Sequence, residues 1–239
     1  MNQSNKTDNF RALVLSRIDR HHESLKELQT VIKTNRKLTP DQFELICFNT
    51  KNIITPDVLA LKSIREYQNA NRLDETTKRM TELLANRLIK RTTELLSSTM
   101  ADMREYIEWS DKDSFSLKSR IYKETADLNK TLYELNPADN DAKTNALSLY
   151  KSALATYPPS SLKSDQFYLN LIFNYNAFRY EHLKEKEESF KDLKTEFDAV
   201  LSELEDSKSA SNKDLFATLH IIQRNLKQWK QETQQVPFD

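Results

Sequence analysis

No glycine occurs anywhere in the 239 residues, and that absence removes most of the folds a chain of this length could adopt. Glycine is the default residue wherever backbone must take a positive φ. Tight two-residue hairpins of the usual chemistry, Gly-rich phosphate loops and the sharp G-x-S-x-G elbow of hydrolases therefore drop out together. An all-α fold is the natural reading. Lys plus Arg and Asp plus Glu number 36 each, so no net field draws the chain toward nucleic acid or an anionic membrane, and neither is expected as a partner.

The stretch 165–181, DQFYLNLIFNYNAFRYE, sets the organisation. Read as a helix, it carries apolar or aromatic side chains on every face, so it must be buried. It is too short and too polar to span a bilayer, which leaves other helices to cover it. Buried asparagines cost free energy unless they are paired. At least one of Asn170, Asn174 and Asn176 is therefore expected to face a polar groove.

Those covering helices can be followed in order. Phe10, Leu13, Val14 and Ile18 form one apolar stripe, and Leu25, Leu28, Val31 and Ile32 form a second beyond a polar junction. Thr39, Pro40 and Asp41 read as a helix start, and Thr55, Pro56 and Asp57 repeat the signature. The repeat either kinks the third helix or opens a new one, and a kink is favoured because Val58, Leu61 and Ile64 continue the spacing. A long fourth pattern runs through Met80, Leu88, Leu95 and Met103 to Trp109. Asp111 or Asp113 is the expected cap of a fifth helix, which Asn136 and Pro137 close. A sixth carries Ala146, Leu149 and Ala153. Beyond the loop at 158–161 and the central seventh helix, an eighth presents Phe190, Leu193, Phe197 and Val200. Asn212 is the expected cap of a ninth with Leu215, Leu219, Ile222, Leu226 and Trp229. The expectation is nine antiparallel helices in a single domain over 1–232, with a flexible tail at 233–239.

Reactive groups do not converge. His21 and His22 are neighbours, which a helix points about 100° apart, so they cannot share a metal as an i, i+4 pair does. His182 lies in a charge run, and no CxxC or HExxH is present. The single cysteine, Cys47, sits in an apolar helical pattern and reads as a packed small hydrophobe. No metal, cofactor or catalytic residue is expected. The amino-terminal MNQSNKTDNF lacks the apolar run of a signal peptide and no stretch is apolar enough for a membrane span, so the reading is cytoplasmic.

Several segments carry a resemblance. LIFNYNAFRYE at 171–181 resembles the L-x-L-N-x-S-V-F-Y-Y-E of the 14-3-3 family, and RNLKQW at 224–229 is similar to its D-N-L-x-x-W. Between them, KTEFDAVLSEL at 194–204 matches K-x-A-F-D-x-A-I-x-E-L. LTPDQFELICFNTKN at 38–52 looks like L-[ST]-x-E-E-R-N-L-L-S-V-A-Y-K-N, and RTTELLS around Glu94 resembles the I-E-x-E-L stretch.

The resemblance implies a cup-shaped array and a dimeric, non-enzymatic adaptor. Each protomer would hold an extended phosphoserine or phosphothreonine peptide in an amphipathic groove. It places the groove asparagines, which hold the peptide backbone, on Asn174 and Asn225, and other groove positions on Phe173, Ala177, Glu181, Ile221, Gln228 and Trp229. Periodicity alone reads Phe173 and Ile221 as core. The phosphate pocket departs from the family. Lys51 keeps one cation, but Val58 falls on an arginine, and IYKETAD at 121–127 puts Lys123 at a second arginine and Glu124 at a tyrosine; an alternative register puts Thr125 and Ala126 there. Lysine is a point charge where arginine is a planar fork, and a neighbouring carboxylate repels phosphate, so a weakened pocket is expected. Arg120, one turn before Lys123, either supplies the charge missing at Val58 or faces solvent. Leu13, Ile18, Arg20 and Glu94 fall at the family's dimer seam, which implies a homodimer. The alternatives are a groove for unphosphorylated or acidic peptides, and a helical scaffold whose groove is vestigial.

Overall fold

The computed structural model describes residues 3–70, 72–110, 114–158, 161–207 and 213–234. Among them the regular elements are nine helices and no strand: α1 (Gln3–Arg17), α2 (His21–Asn35), α3 (Pro40–Ala70), α4 (Glu75–Trp109), α5 (Phe115–Leu135), α6 (Asn140–Thr156), α7 (Gln166–His182), α8 (Lys186–Ser207) and α9 (Lys213–Gln234).

Local side-chain chemistry places several of the helix starts. Thr39 Oγ1 accepts from Gln42 N at 3.3 Å while Gln42 Oε1 accepts from Thr39 N at 2.9 Å, a capping box ahead of Pro40. Asp74 caps α4 through Thr77 N at 2.9 Å, and Asp165 caps α7 through Phe167 N at 2.6 Å. Pro56 lies inside α3 and starts nothing new. Asp57, read from sequence as part of a start signal, is instead a buried acceptor for Arg91 and Thr92 of α4. Ser114 occupies the position before α5, without a side-chain cap bond. Asp111 and Asp113 lie outside the described residues, as does Asn212. The ninth helix runs to Gln234, two residues into the stretch expected to be a flexible tail; the remainder of that stretch lies outside the described residues.

A chain without glycine still needs left-handed corners. Asp19, Arg36 and Lys184 supply them at φ 58°, 48° and 61°, each at a cost of roughly 1 kcal/mol. At Lys184 the cost is met by fixed contacts on either side. Arg179 reaches Glu185 and Asp192, both at 2.6 Å, and pins the turn between α7 and α8.

Packing divides the chain into two units, Met1–Leu117 with Thr131–Asn140 and Lys118–Lys130 with Asp141–Asp239. In the first, α1 packs on α2, α2 on α3 and α3 on α4. A buried polar chain ties three of these helices together. Ser24 Oγ donates to Ala12 O at 2.6 Å, Asn49 Nδ2 donates to Ser24 Oγ at 2.8 Å, and Asn49 Oδ1 lies 2.9 Å from His21 Nδ1. Small Ala12 and Ser16 face inward from α1, so its apolar stripe does not: Phe10, Leu13, Val14 and Ile18 are exposed, and Ile18 falls just beyond the helix end.

In the second unit α7 is buried from two sides, which explains a helix with no polar face. Leu169, Ile172, Ala177 and Tyr180 pack with Leu193, Phe197 and Val200 of α8 and Leu219, Ile222, Leu226 and Trp229 of α9. Leu171 and Phe178 pack with Ala126 of α5 and Ala146, Tyr150 and Ala153 of α6. The small residues let α5 and α6 approach closely enough for Ser119 Oγ to donate to Ala153 O at 2.7 Å. Cys47 is buried, as its apolar setting predicts.

Candidate functional site

The second unit gathers polar groups in one place at α5, α6 and α7. Lys123 Nζ lies 2.7 Å from Asp127 Oδ2 and 3.0 Å from Glu124 Oε1. All three side chains are largely covered, at 10%, 21% and 13% exposure for Lys123, Asp127 and Glu124. Asp127 also accepts from the Tyr150 hydroxyl at 2.5 Å and, through both oxygens, from Asn174 Nδ2 at 3.1 and 3.2 Å. Helix geometry puts Lys123 and Asp127 on one face, i and i+4. Tyr150 reaches them because its ring is locked, fully buried, between Tyr175 and Phe178.

Burial alone would pull the Lys123 ammonium down, but Asp127 and then Glu124 overturn that and hold its pKa above the ordinary lysine value. The Lys123 ammonium therefore meets two carboxylates. Arg120, one turn earlier, has its guanidinium over the Phe167 ring, 5.3 Å from the centroid.

The other residues singled out from sequence are distributed as follows. Asn174 is half-buried and engaged with Asp127. Asn176 is buried, donating to Ile172 O at 2.9 Å and accepting from Arg179 at 3.1 Å. On α9, Ile221, Asn225 and Gln228 recur at i, i+4 and i+7 along one line. Ile221 is 43% exposed, Asn225 donates to Ile221 O at 2.8 Å, and Gln228 donates to Glu232 at 2.8 Å. Phe173 packs half-buried against the core that holds Ala177 and Trp229. Trp229 stacks on Tyr180 with 4.0 Å between centroids and 6° between planes, so it fixes α9 to α7. Glu181 is exposed, 3.9 Å from Lys130.

In the first unit Lys51 is exposed on α3. Val58 lines a cavity of about 260 Å³ with Leu61, Arg65 and Leu135, and Arg65 donates to the Glu134 and Leu135 carbonyls at 3.3 and 3.0 Å. Arg20 pairs with Glu23, and Glu94 lies 4.0 Å from Lys90, all at the surface. Sequence reading missed Asp127 and Tyr150. The i+4 spacing from Lys123 was a usable signal for Asp127; no local pattern marks Tyr150, whose partner is 23 positions away.

Comparisons with known proteins bear on the chain as a whole. The family model for the 14-3-3 protein matches residues 11–230. The chain is 22% identical over 231 residues to 14-3-3 protein 7 of Solanum lycopersicum, covering 95% of this chain and 91% of that protein. It is 24% identical over 233 residues to 14-3-3-like protein C of Glycine max, covering 95% and 88%. It is also 24% identical over 243 residues to the checkpoint signal transducer rad25 of Schizosaccharomyces pombe, covering 98% and 88%. With a family model running through all nine helices and relatives matched along nearly their whole length, the chain belongs to the 14-3-3 family, whose members are non-enzymatic adaptors.

Proposed function

We propose that this protein is a cytoplasmic adaptor that holds extended peptide segments of partner proteins along α7 and α9. Phosphoserine and phosphothreonine segments are among its ligands, met by an attenuated phosphate pocket. Asn174 and Asn225 serve the peptide backbone, since a carboxamide both donates and accepts and so matches a peptide group. Ile221 and Gln228 flank Asn225 on the same line of α9. Lys51, Lys123 and Arg120 are the cations assigned to phosphate.

The observation that carries the attenuation is the pairing of Lys123 with both Glu124 and Asp127. A ligand phosphoryl group carries about −1.5 to −2 charges and approaches a lysine whose charge is already met. The same pairing favours a second reading, in which unphosphorylated segments bind comparably through the asparagines and the apolar line.

We assign a homodimer to the exposed apolar faces of the first unit. Phe10, Leu13, Val14 and Ile18 near the amino end and Met80, Leu83 and Leu84 on α4 are all solvent-facing in the single chain. A surface of this kind is what a partner copy covers. Fluorescence anisotropy with a generic phosphoserine peptide and its unphosphorylated twin, at two salt concentrations, tests the adaptor reading. Saturable binding of the phosphopeptide, weakening with salt, is expected. Failure of both peptides to bind would overturn the reading.

A further inference from the structure

We propose that the outer face of α9 is a docking edge for acidic side chains of the bound partner segment: Lys213, His220, Arg224 and Lys227 line it, and aspartates or glutamates flanking the segment's contact with Asn225 are what they meet. The inference rests on the peptide-binding reading above and adds a preference for acidic partners, at residues to which that reading assigns nothing.

The four positions follow one another at i, i+7, i+11 and i+14. At about 100° and 1.5 Å a residue they keep within an arc of about 60° and run about 21 Å along the helix. All four side chains are exposed, and among the described residues none of them has an ion-pair or hydrogen-bond partner. Other cations of the same unit are engaged: Lys163 meets Glu196 at 2.9 Å, Lys194 meets Asp198 at 2.6 Å and Arg179 meets Asp192 at 2.6 Å. The acids of α9, Asp214 and Glu232, fall about 120° round from His220. In a chain with 36 cations and 36 anions, a face of one sign is a sorting of charge and not a surplus of it.

Position decides what the edge serves. Leu215, Leu219, Ile222, Leu226 and Trp229 turn one side of α9 to the core, and Ile221, Asn225 and Gln228 form the next line round. The cations lie beyond that line, on the side away from the core. A cavity of about 670 Å³ opens there, with Ile221 in its lining beside His220, Gln223, Arg224 and Lys227. A segment whose backbone meets Asn225 therefore carries its outward side chains past the cations, and carboxylates are the groups that match them. An extended segment of about six residues covers the length. Ile221 and the Asn225 carboxamide suit the apolar and amide groups of a polypeptide, so the occupant is an acidic peptide and not a nucleic acid strand.

The test uses the full-length protein and the generic phosphoserine peptide extended by a run of glutamates or of glutamines, at its amino end or at its carboxyl end, with affinity read by fluorescence anisotropy. Each exposed ion pair contributes a few-fold at most, and the row together is expected to favour glutamate over glutamine by about tenfold at one of the two ends, less so in high salt. Arg224→Gln with Lys227→Gln should remove most of that advantage, and Arg224→Glu with Lys227→Glu should reverse it, while the plain peptide keeps its affinity within about twofold. Circular dichroism checks that both double variants keep their helices. Equal affinity of the glutamate and glutamine versions at both ends, with the plain peptide still bound, would overturn the inference and leave the peptide-binding reading standing. A glutamate preference that survives the glutamine double variant would overturn it too. Stronger competition by a short single-stranded DNA than by the glutamate peptides, lost in the same variant, would assign the edge to nucleic acid instead. Binding of no peptide by wild type would overturn both readings.

Discussion

Replacing Tyr150 with Phe isolates the contact that builds the candidate site. The phenol is fully buried and donates to Asp127 at 2.5 Å. Tyr150→Phe keeps the ring, so its packing on Tyr175, Phe178 and the alanines of α5 and α6 is retained and no cavity opens. Only the hydroxyl is lost. Hydrogen bonds to charged acceptors contribute about 1.5–3 kcal/mol. Asp127 is 21% exposed and keeps Lys123 and Asn174, so water and the remaining donors compensate in part. The expected loss is therefore at the low end, about 1.5 kcal/mol. With a urea slope of about 2 kcal/mol per molar, the midpoint should fall by about 0.7 M at constant slope. Trp229, stacked on Tyr180 in the same unit, reports the transition by fluorescence in a Trp109→Phe background. A double-mutant cycle with Asp127→Asn should return a coupling of about 1 kcal/mol, since the two side chains touch. A midpoint shift under about 0.2 M, or no coupling, would falsify the claim that the phenol anchors Asp127.

Two further outcomes follow from other parts of the molecule. Leu13→Glu combined with Ile18→Glu places charge on the exposed apolar stripe; wild type is expected to sediment as a dimer at micromolar concentration and the variant as a monomer, and a monomeric wild type would sink the assignment. The alkaline limit of stability is set in part by Tyr180, whose pKa is pushed up to about 12 by burial first and then by its 2.9 Å hydrogen bond to Glu232. The folded chain holds that proton more tightly than an unfolded one, where a phenol titrates near 10, so the contribution is whole below about pH 10 and is lost as pH rises through the folded value. Glu232 runs the other way. Gln228 and then Tyr180 hold it below the ordinary carboxylate value, so its support is present above that range and disappears as pH falls through the lowered value. Tyr180→Phe should remove one phenolate absorbance step from the range above the ordinary phenol value and flatten the alkaline loss; loss of a step near 10 instead would show that Tyr180 ionises freely.

The helices were legible because their causes are local. Apolar spacing, the Thr39 cap with Pro40 behind it, and the all-round apolar character of α7 are each contained within a few turns of sequence. What the spacing could not say is what covers each face. The stripe of Phe10, Leu13, Val14 and Ile18 has the periodicity of a core-facing helix, yet the core of its own unit is met by Ala12 and Ser16. Period reports that a face is apolar, and the partner that buries it is outside the pattern. The same limit applies to the site. Lys123 and Glu124 could be read because they sit on segments of recognisable spacing, and the expected weakening of the phosphate pocket followed from their charges alone. Their arrangement could not: Lys123 also meets Asp127 one turn on, and Asp127 is met by a tyrosine from another helix. Polar contacts between helices carry no periodic signature, because each requires one particular pair of positions and not a repeating face. Charge inventory thus says which ionic groups a segment carries, while the tertiary fold decides which of them meet.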